Sequence, residues 1–103
     1  MTDLLQAIAE PRRQAILRQV WRGEREAGEI HRAVGNVTFG AVSQHLRVLR
    51  EAGAVHVRKD GRRRLYRANH TTLRPLRAYL EKMWARALGD LQSLAEDEER
   101  KGR

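Results

Sequence analysis

Near the middle of the chain, Ser43-Gln44-His45-Leu46-Arg47 brings hydroxyl, amide, imidazole and guanidinium groups within about one and a half helical turns. These groups read base edges: glutamine pairs two-point with adenine, arginine with guanine or a phosphate, and serine and histidine reach either. A little further on, Arg58, Lys59, Arg62, Arg63, Arg64 and Arg67 face only Asp60 within ten residues. Repulsion among them is relieved by a polyanion, which assigns Arg62 and Arg63, near the hairpin tip, to phosphate or minor-groove contacts. Two blander readings stand beside these: a solvated polar helix face, and an edge hairpin kept from aggregating by its charge.

Catalysis is not indicated. The chain has no paired carboxylates, no nucleophile with a matched base and no glycine-rich phosphate loop, and Ser43-Gln44-His45 suits groove contact better than hydrolysis. Cysteine is absent, which excludes disulfides, thiolate metal sites and thiol redox sensing in this chain. The four histidines, His31, His45, His56 and His70, show no spacing for shared coordination. No cofactor is expected, and His31, His56 and His70 are assigned surface or packing roles.

A formal charge of +8 makes a polyanion the first partner to consider, ahead of an anionic membrane or acidic proteins. No apolar run approaches the roughly 20 residues that cross a bilayer, and Asp3 with the early Pro11 does not resemble a secretory signal, so the expected location is the cytoplasm. At 103 residues, 41% of them hydrophobic, the chain has material for one modest core. A lone monomer would be marginal, so pairing of subunits is expected.

The elements that must position these side chains follow from periodicity. Leu4, Leu5, Ile8, Ile16, Leu17, Val20 and Trp21 recur at helical spacing, interrupted by Pro11, which predicts a short helix to about Ala9 and a longer one from about Glu10 to Gly23. Ala27 to Val34 reads as a further short helix, closed by Gly35-Asn36. Thr38 is a good N-cap for a helix that buries Val42, Leu46 and Leu49 and ends at Gly53; Phe39 is expected to tuck into the core by its angle on the helix, with contact to a thymine methyl as the lesser alternative. Two short helices across a glycine-containing turn make a helix-turn-helix. On the second of them Gly40, Ala41, Gln44, Arg47, Val48 and Glu51 face outward, flanked by Ser43 and His45, and the small Gly40 and Ala41 permit close approach to a duplex.

Alternation over residues 54–58 and again over 64–67, with a turn at Asp60-Gly61, predicts a β-hairpin wing. Leu73, Leu76, Leu80, Met83, Ala87, Leu91 and Leu94, widened by Trp84, Leu88 and Ala95, form the apolar stripe of a helix of more than twenty residues that needs a partner. The fold class is mainly α with a small β-hairpin (α+β), a winged helix-turn-helix with long N- and C-terminal dimerisation helices. The expected layout is one domain over residues 1–95 and a charged, fraying tail over 96–103.

The runs Glu10-Pro11-Arg12-Arg13-Gln14-Ala15-Ile16-Leu17, Val42-Ser43-Gln44-His45-Leu46-Arg47-Val48-Leu49-Arg50-Glu51-Ala52-Gly53 and Asp60-Gly61-Arg62-Arg63-Arg64-Leu65-Tyr66-Arg67 resemble the ArsR family of bacterial winged-helix repressors. The resemblance runs in order from about Leu4 to Ala95, and its middle block is the specific part. It implies a homodimer joined through the first and last helices, with two reading heads in successive major grooves of an inverted repeat. On that basis the contacts to DNA are Thr38, Gly40, Ala41, Ser43, Gln44, His45, Arg47, Arg62, Arg63 and Arg64. The subunit interface is Leu5, Ile8, Trp21, Leu73, Leu76, Leu80, Trp84, Leu88 and Leu91.

The sequence departs from the metal-sensing members of that family. It lacks their cysteines, and from Thr71 to Ala95 it has no histidine and only Glu81 and Asp90 as isolated acids, so no metal site is expected. Phe39 and Gly40 stand where family members often carry polar residues and proline, which bears on base preference. The leading expectation is a metal-independent dimeric repressor. Its partners are double-stranded DNA, a second copy of the chain, and an effector, small molecule or protein, that the residues do not specify. The alternative is a basic nucleoid-associated or RNA-binding protein without sequence choice.

Overall fold

The computed structural model describes residues 3–87. Helix α1, Leu4–Ala9, stops because Pro11 forces Glu10 into extended backbone (φ −78°, ψ 126°). Proline then opens α2, Pro11–Gln19, at its first turn, and Glu10 Oε2 caps it by accepting from the Arg13 amide at 2.9 Å. The helix ends at Gln19, earlier than the expected Gly23, with Val20 and Trp21 continuing into the core as a turn whose amides bond Leu17 O and Arg18 O. Burial of Val20 and Trp21 does not require helix to carry them.

A short strand unforeseen in the sequence follows, β1, Arg25–Glu26, and leads directly into α3, Ala27–Val34. Two residues are too few to show alternation; pairing with the wing defines them. Glu26 and Glu29 form a capping box at the start of α3, and Gly35 (φ 58°) and Asn36 (φ 52°) turn the chain through two left-handed residues. Thr38 Oγ1 then accepts from the Ala41 amide at 3.0 Å and opens α4, Phe39–Glu51, which buries Val42, Leu46 and Leu49. At its end Gly53 (φ 82°) allows a Schellman closure, with Gly53 N bonding Arg50 O at 3.0 Å and Ala54 N bonding Leu49 O at 2.8 Å.

Strands β2, Val55–Asp60, and β3, Arg63–Ala68, form the wing, in a three-stranded antiparallel sheet of order β1-β3-β2. Asp60 pairs with Arg63, so the connection is Gly61-Arg62 rather than the expected Asp60-Gly61, with Gly61 (φ 64°) supplying the left-handed first position. Helix α5, His70–Leu73, completes the first of two compact units. Its core is Ala7, Ile8, Ile16, Leu17, Val20, Trp21, Ile30, Val42, Leu46, Leu49, Ala54, Val55, Leu65, Ala68 and Leu73. The α3–turn–α4 pair and the β2–β3 hairpin make this unit a winged helix-turn-helix.

The second unit begins with a 3-10 turn, Arg74–Leu76, and continues as α6, Arg77–Ala87. The single long helix expected from Leu73 is therefore broken at its start, because Pro75 removes an amide and disfavours helix before it. Leu76, Leu80, Met83 and Trp84 keep the predicted stripe, with Leu80 and Trp84 buried. At the other end α1 and α2 are only six and nine residues long. Leu88, Leu91, Leu94 and the expected tail lie outside the described residues.

Candidate nucleic-acid interface

On α4 the face opposite Val42, Leu46 and Leu49 carries Ser43, Gln44 and Arg47, all exposed, with Ala41 and Val48 half-buried beside them. Arg47 Nε reaches Glu51 Oε1 at 3.1 Å, an exposed pair one turn apart that a phosphate or base readily displaces. Thr38 spends one of its two hydroxyl lone pairs on the helix cap, and its hydroxyl proton makes no hydrogen bond among the described residues. Gly40 is exposed, and a Cβ built there meets only Thr38 Oγ1, at 3.9 Å. The protein's own packing does not demand a glycine at that position.

His45 is half-buried rather than fully presented. Arg13 Nη1 donates to its Nδ1 at 3.4 Å, and the same guanidinium bonds Ala7 O at 2.6 Å and Gln6 O at 3.5 Å. Arg13 thus ties α4 to the carbonyl end of α1, a link that no local sequence pattern signals. His31, assigned a surface or packing role, is also half-buried: its Nε2 donates to Val37 O at 2.8 Å and its ring stands edge-on to Phe39. Phe39 is not in the core. It is 49% exposed, because at the first position of α4 it lies before the helix has turned its apolar side inward.

The wing is less lopsided than its sequence. Arg58 donates from Nε and Nη2 to Glu24 at 2.5 and 2.9 Å, and Arg63 donates from Nε to Glu26, so carboxylates preceding α3 neutralise two of its cations. The hydrogen bond from Arg58, aided by the positive field of Arg58, Arg67 and Arg63, holds the Glu24 carboxyl below its ordinary value. The same two contacts hold the Arg58 and Arg63 guanidinium groups more firmly protonated. The expectation that nothing nearby offsets the wing charge is corrected here: two glutamates two residues apart on an extended run face the same way, and the antiparallel pairing of β1 with β3 brings them to the wing. Arg62 and Arg64, by contrast, are exposed and enter no ion pair among the described residues.

Together Phe39, Ser43, Arg62, Arg63, Arg64 and Tyr66 line an open groove between α4 and the wing, with Glu26 and Ala27 along one side. The predicted interface residues divide differently. Leu5 is 58% exposed and Leu76 half-buried, whereas Ile8, Trp21, Leu73, Leu80 and Trp84 are buried. Trp21 also packs edge-on against His70, whose Nε2 donates to Trp21 O at 2.7 Å. His56 is exposed, and among the described residues no three acidic or histidine side chains are grouped to hold a metal ion.

Comparison with known proteins agrees with this architecture. A family model described as a helix-turn-helix domain matches residues 8–58. HTH-type transcriptional regulator Rv2034 of Mycobacterium tuberculosis is 40% identical over 93 residues, covering 90% of this chain and 86% of that protein. A crystal structure described as a "possible transcriptional regulator for arsenical resistance" is 38% identical, with a TM-score of 0.68 over 94% of this chain and 97% of that one. The homodimeric winged helix-turn-helix DNA-binding domain of Mb0332 from Mycobacterium bovis, described as a "possible ArsR-family transcriptional regulator", is 29% identical with a TM-score of 0.69, covering 81% and 76% of the two chains. The chain is a winged helix-turn-helix protein of the transcription-regulator class. It belongs to the ArsR family.

Proposed function

We propose that this protein is a sequence-specific DNA-binding repressor that acts as a homodimer on an inverted-repeat operator and has no metal sensor. The observation that carries the reading is the pairing of two exposed features: Ser43, Gln44 and Arg47 on α4, of which Ser43 shares an open groove with Arg62 and Arg64, two wing cations without an ion pair among the described residues. Polar side chains of those types discriminate base pairs in a major groove, while exposed guanidinium groups take up backbone phosphates. Homodimer formation is supported by the homodimeric Mb0332 domain and by Leu5, a large apolar side chain left in water on α1. Two reading helices then meet half-sites about one helical turn apart. The absence of cysteine supports release by something other than a thiolate-bound metal.

The test is capture of genomic fragments by the purified full chain at physiological salt, beside the same fragments with zinc or arsenite added. A small set of fragments sharing an inverted repeat, retained equally with and without metal, is the expected result. Retention of all fragments alike, or of RNA in preference to duplex, replaces it with the nonspecific alternative. Release by either metal overturns the metal-independent part alone.

A further inference from the structure

Phe39 is the one large apolar side chain on the first turn of α4, and it points outward, 49% exposed. Its ring is held from behind. His31 meets it edge-on, with ring centroids 5.8 Å apart and planes at 88°, and His31 is itself fixed by the 2.8 Å bond from Nε2 to Val37 O. In front lies the groove that Phe39 shares with Ser43 and the wing arginines, the surface on which a duplex sits in the function proposed above.

We propose that Phe39 is a specificity-determining residue, its exposed face packing against the 5-methyl group of a thymine, with His31 as the positioning residue behind it. The inference rests on the duplex-reading function, and the choice of thymine follows from the chemistry of the ring. A phenyl group has no hydrogen-bond donor, acceptor or charge to offer a phosphate or the polar edges of guanine, cytosine and adenine. The 5-methyl is the apolar group that a standard base pair presents in the major groove. Gly40 and Ala41, next along the helix, carry too little bulk to hold the duplex away from the ring. The two interactions divide the work: Gln44 and Arg47 read by hydrogen bonds, and Phe39 reads the absence or presence of a methyl.

The experiment enriches randomised duplexes with the wild-type chain and with Phe39→Ala in parallel. Because Phe39 lies at the surface, its truncation leaves the core intact. The wild type is expected to select thymine at one position of each half-site, and the variant to lose that selection while keeping the others. On the selected duplex, replacing that thymine by deoxyuridine removes only the methyl. This weakens the wild type about fourfold, the worth of one methyl-sized group taken from water, and leaves Phe39→Ala unchanged. His31→Ala is expected to lower the ratio of thymine to deoxyuridine affinity without changing affinity for the deoxyuridine duplex. Identical base preferences for wild type and Phe39→Ala, or equal sensitivity of both to deoxyuridine, overturn the role of Phe39 and leave duplex reading standing. A wild-type chain that selects no sequence overturns both.

Discussion

Arg13 of α2 and His45 of α4 meet at 3.4 Å, guanidinium to ring nitrogen, and the rest of the Arg13 guanidinium closes on the carbonyls of Ala7 and Gln6. One side chain therefore spans the reading helix, α2 and the end of α1. A planar fork with several fixed donors suits this position, and a lysine ammonium does not. Arg13→Ala is expected to destabilise the protein by about 1–2 kcal/mol, because charge-assisted bonds disappear and carbonyls are left without their donor. Arg13→Lys is expected to recover less than half of that. Urea denaturation measures both, and hydrogen exchange should show the effect concentrated in α1. A variant as stable as the wild type would mean that the guanidinium merely rests on those carbonyls.

The reading helix, the helix before it and the turn between them were legible because each boundary has its own chemical signal. Thr38 caps, Gly35-Asn36 takes two left-handed residues, Gly53 closes, and Val42, Leu46 and Leu49 keep one face. The misreadings fall where no local signal exists. Strand β1 is defined only by its register against Tyr66 and Leu65, about forty residues away in the chain. Phe39 has the right periodicity for the core but sits at a helix start, where the solvent side is still open. No local pattern marks Glu24 and Glu26, and only the sheet brings Arg58 and Arg63 to them. The break at residues 74–76 has a visible cause in Pro75, which the leucine stripe does not override.

The Glu24–Arg58 contact makes a pH-dependent prediction whose sign follows from its direction. The Glu24 carboxyl is held below its ordinary value in the folded chain, first by the hydrogen bond from Arg58. Its contribution to stability is therefore complete at neutral pH, above the unfolded value, and disappears as pH falls through the lower folded value. Both partners are exposed, so the effect is small and screened by salt. Thermal melts of wild type and Glu24→Gln between about pH 7 and pH 3 should converge at the acid end. A gap that stays constant with pH would assign the difference to packing instead.

At Gly40 the demands of the fold can be tested apart from those of the proposed DNA contact. An added Cβ meets nothing nearer than Thr38 Oγ1 at 3.9 Å, and alanine is the better helix former. Gly40→Ala is expected to raise stability by up to about 1 kcal/mol. Gly40→Leu should leave the melting temperature close to that of the wild type yet lower operator affinity by roughly tenfold or more, by holding the helix off the groove. Fluorescence anisotropy alongside the melts distinguishes the two effects. Unchanged DNA affinity for the leucine variant would place the first turn of α4 away from the duplex.

Positioning and reading are expected to separate between the wing and α4. Arg62→Ala with Arg64→Ala should weaken operator and random duplex by similar factors and reduce the slope of log affinity against log salt by about two, one for each phosphate deprived of its guanidinium. Gln44→Ala should leave that slope unchanged and alter which base pairs are preferred, at a cost of about 1–3 kcal/mol on the original operator. Arg63 is the informative control. Its guanidinium already serves Glu26, so Arg63→Ala is expected to disturb the attachment of the wing as well as the charge. The division of roles fails if the Gln44 and double-arginine variants lose affinity uniformly with the same change in slope.

Leu5 offers the cleanest test of subunit pairing, because more than half of this large apolar residue is left in water. It is 58% exposed on α1, while its neighbours Ala7 and Ile8 are buried and hold the helix in place. A charge at Leu5 therefore leaves one subunit folded, but in a dimer paired through α1 it would be buried without a partner, at a cost of several kcal/mol. Leu5→Asp is expected to sediment as a monomer with an unchanged helical circular dichroism spectrum. Operator affinity should fall toward that of a single half-site, since the second reading helix no longer arrives with the first. A variant that remains dimeric would move the interface off α1 and onto another exposed surface.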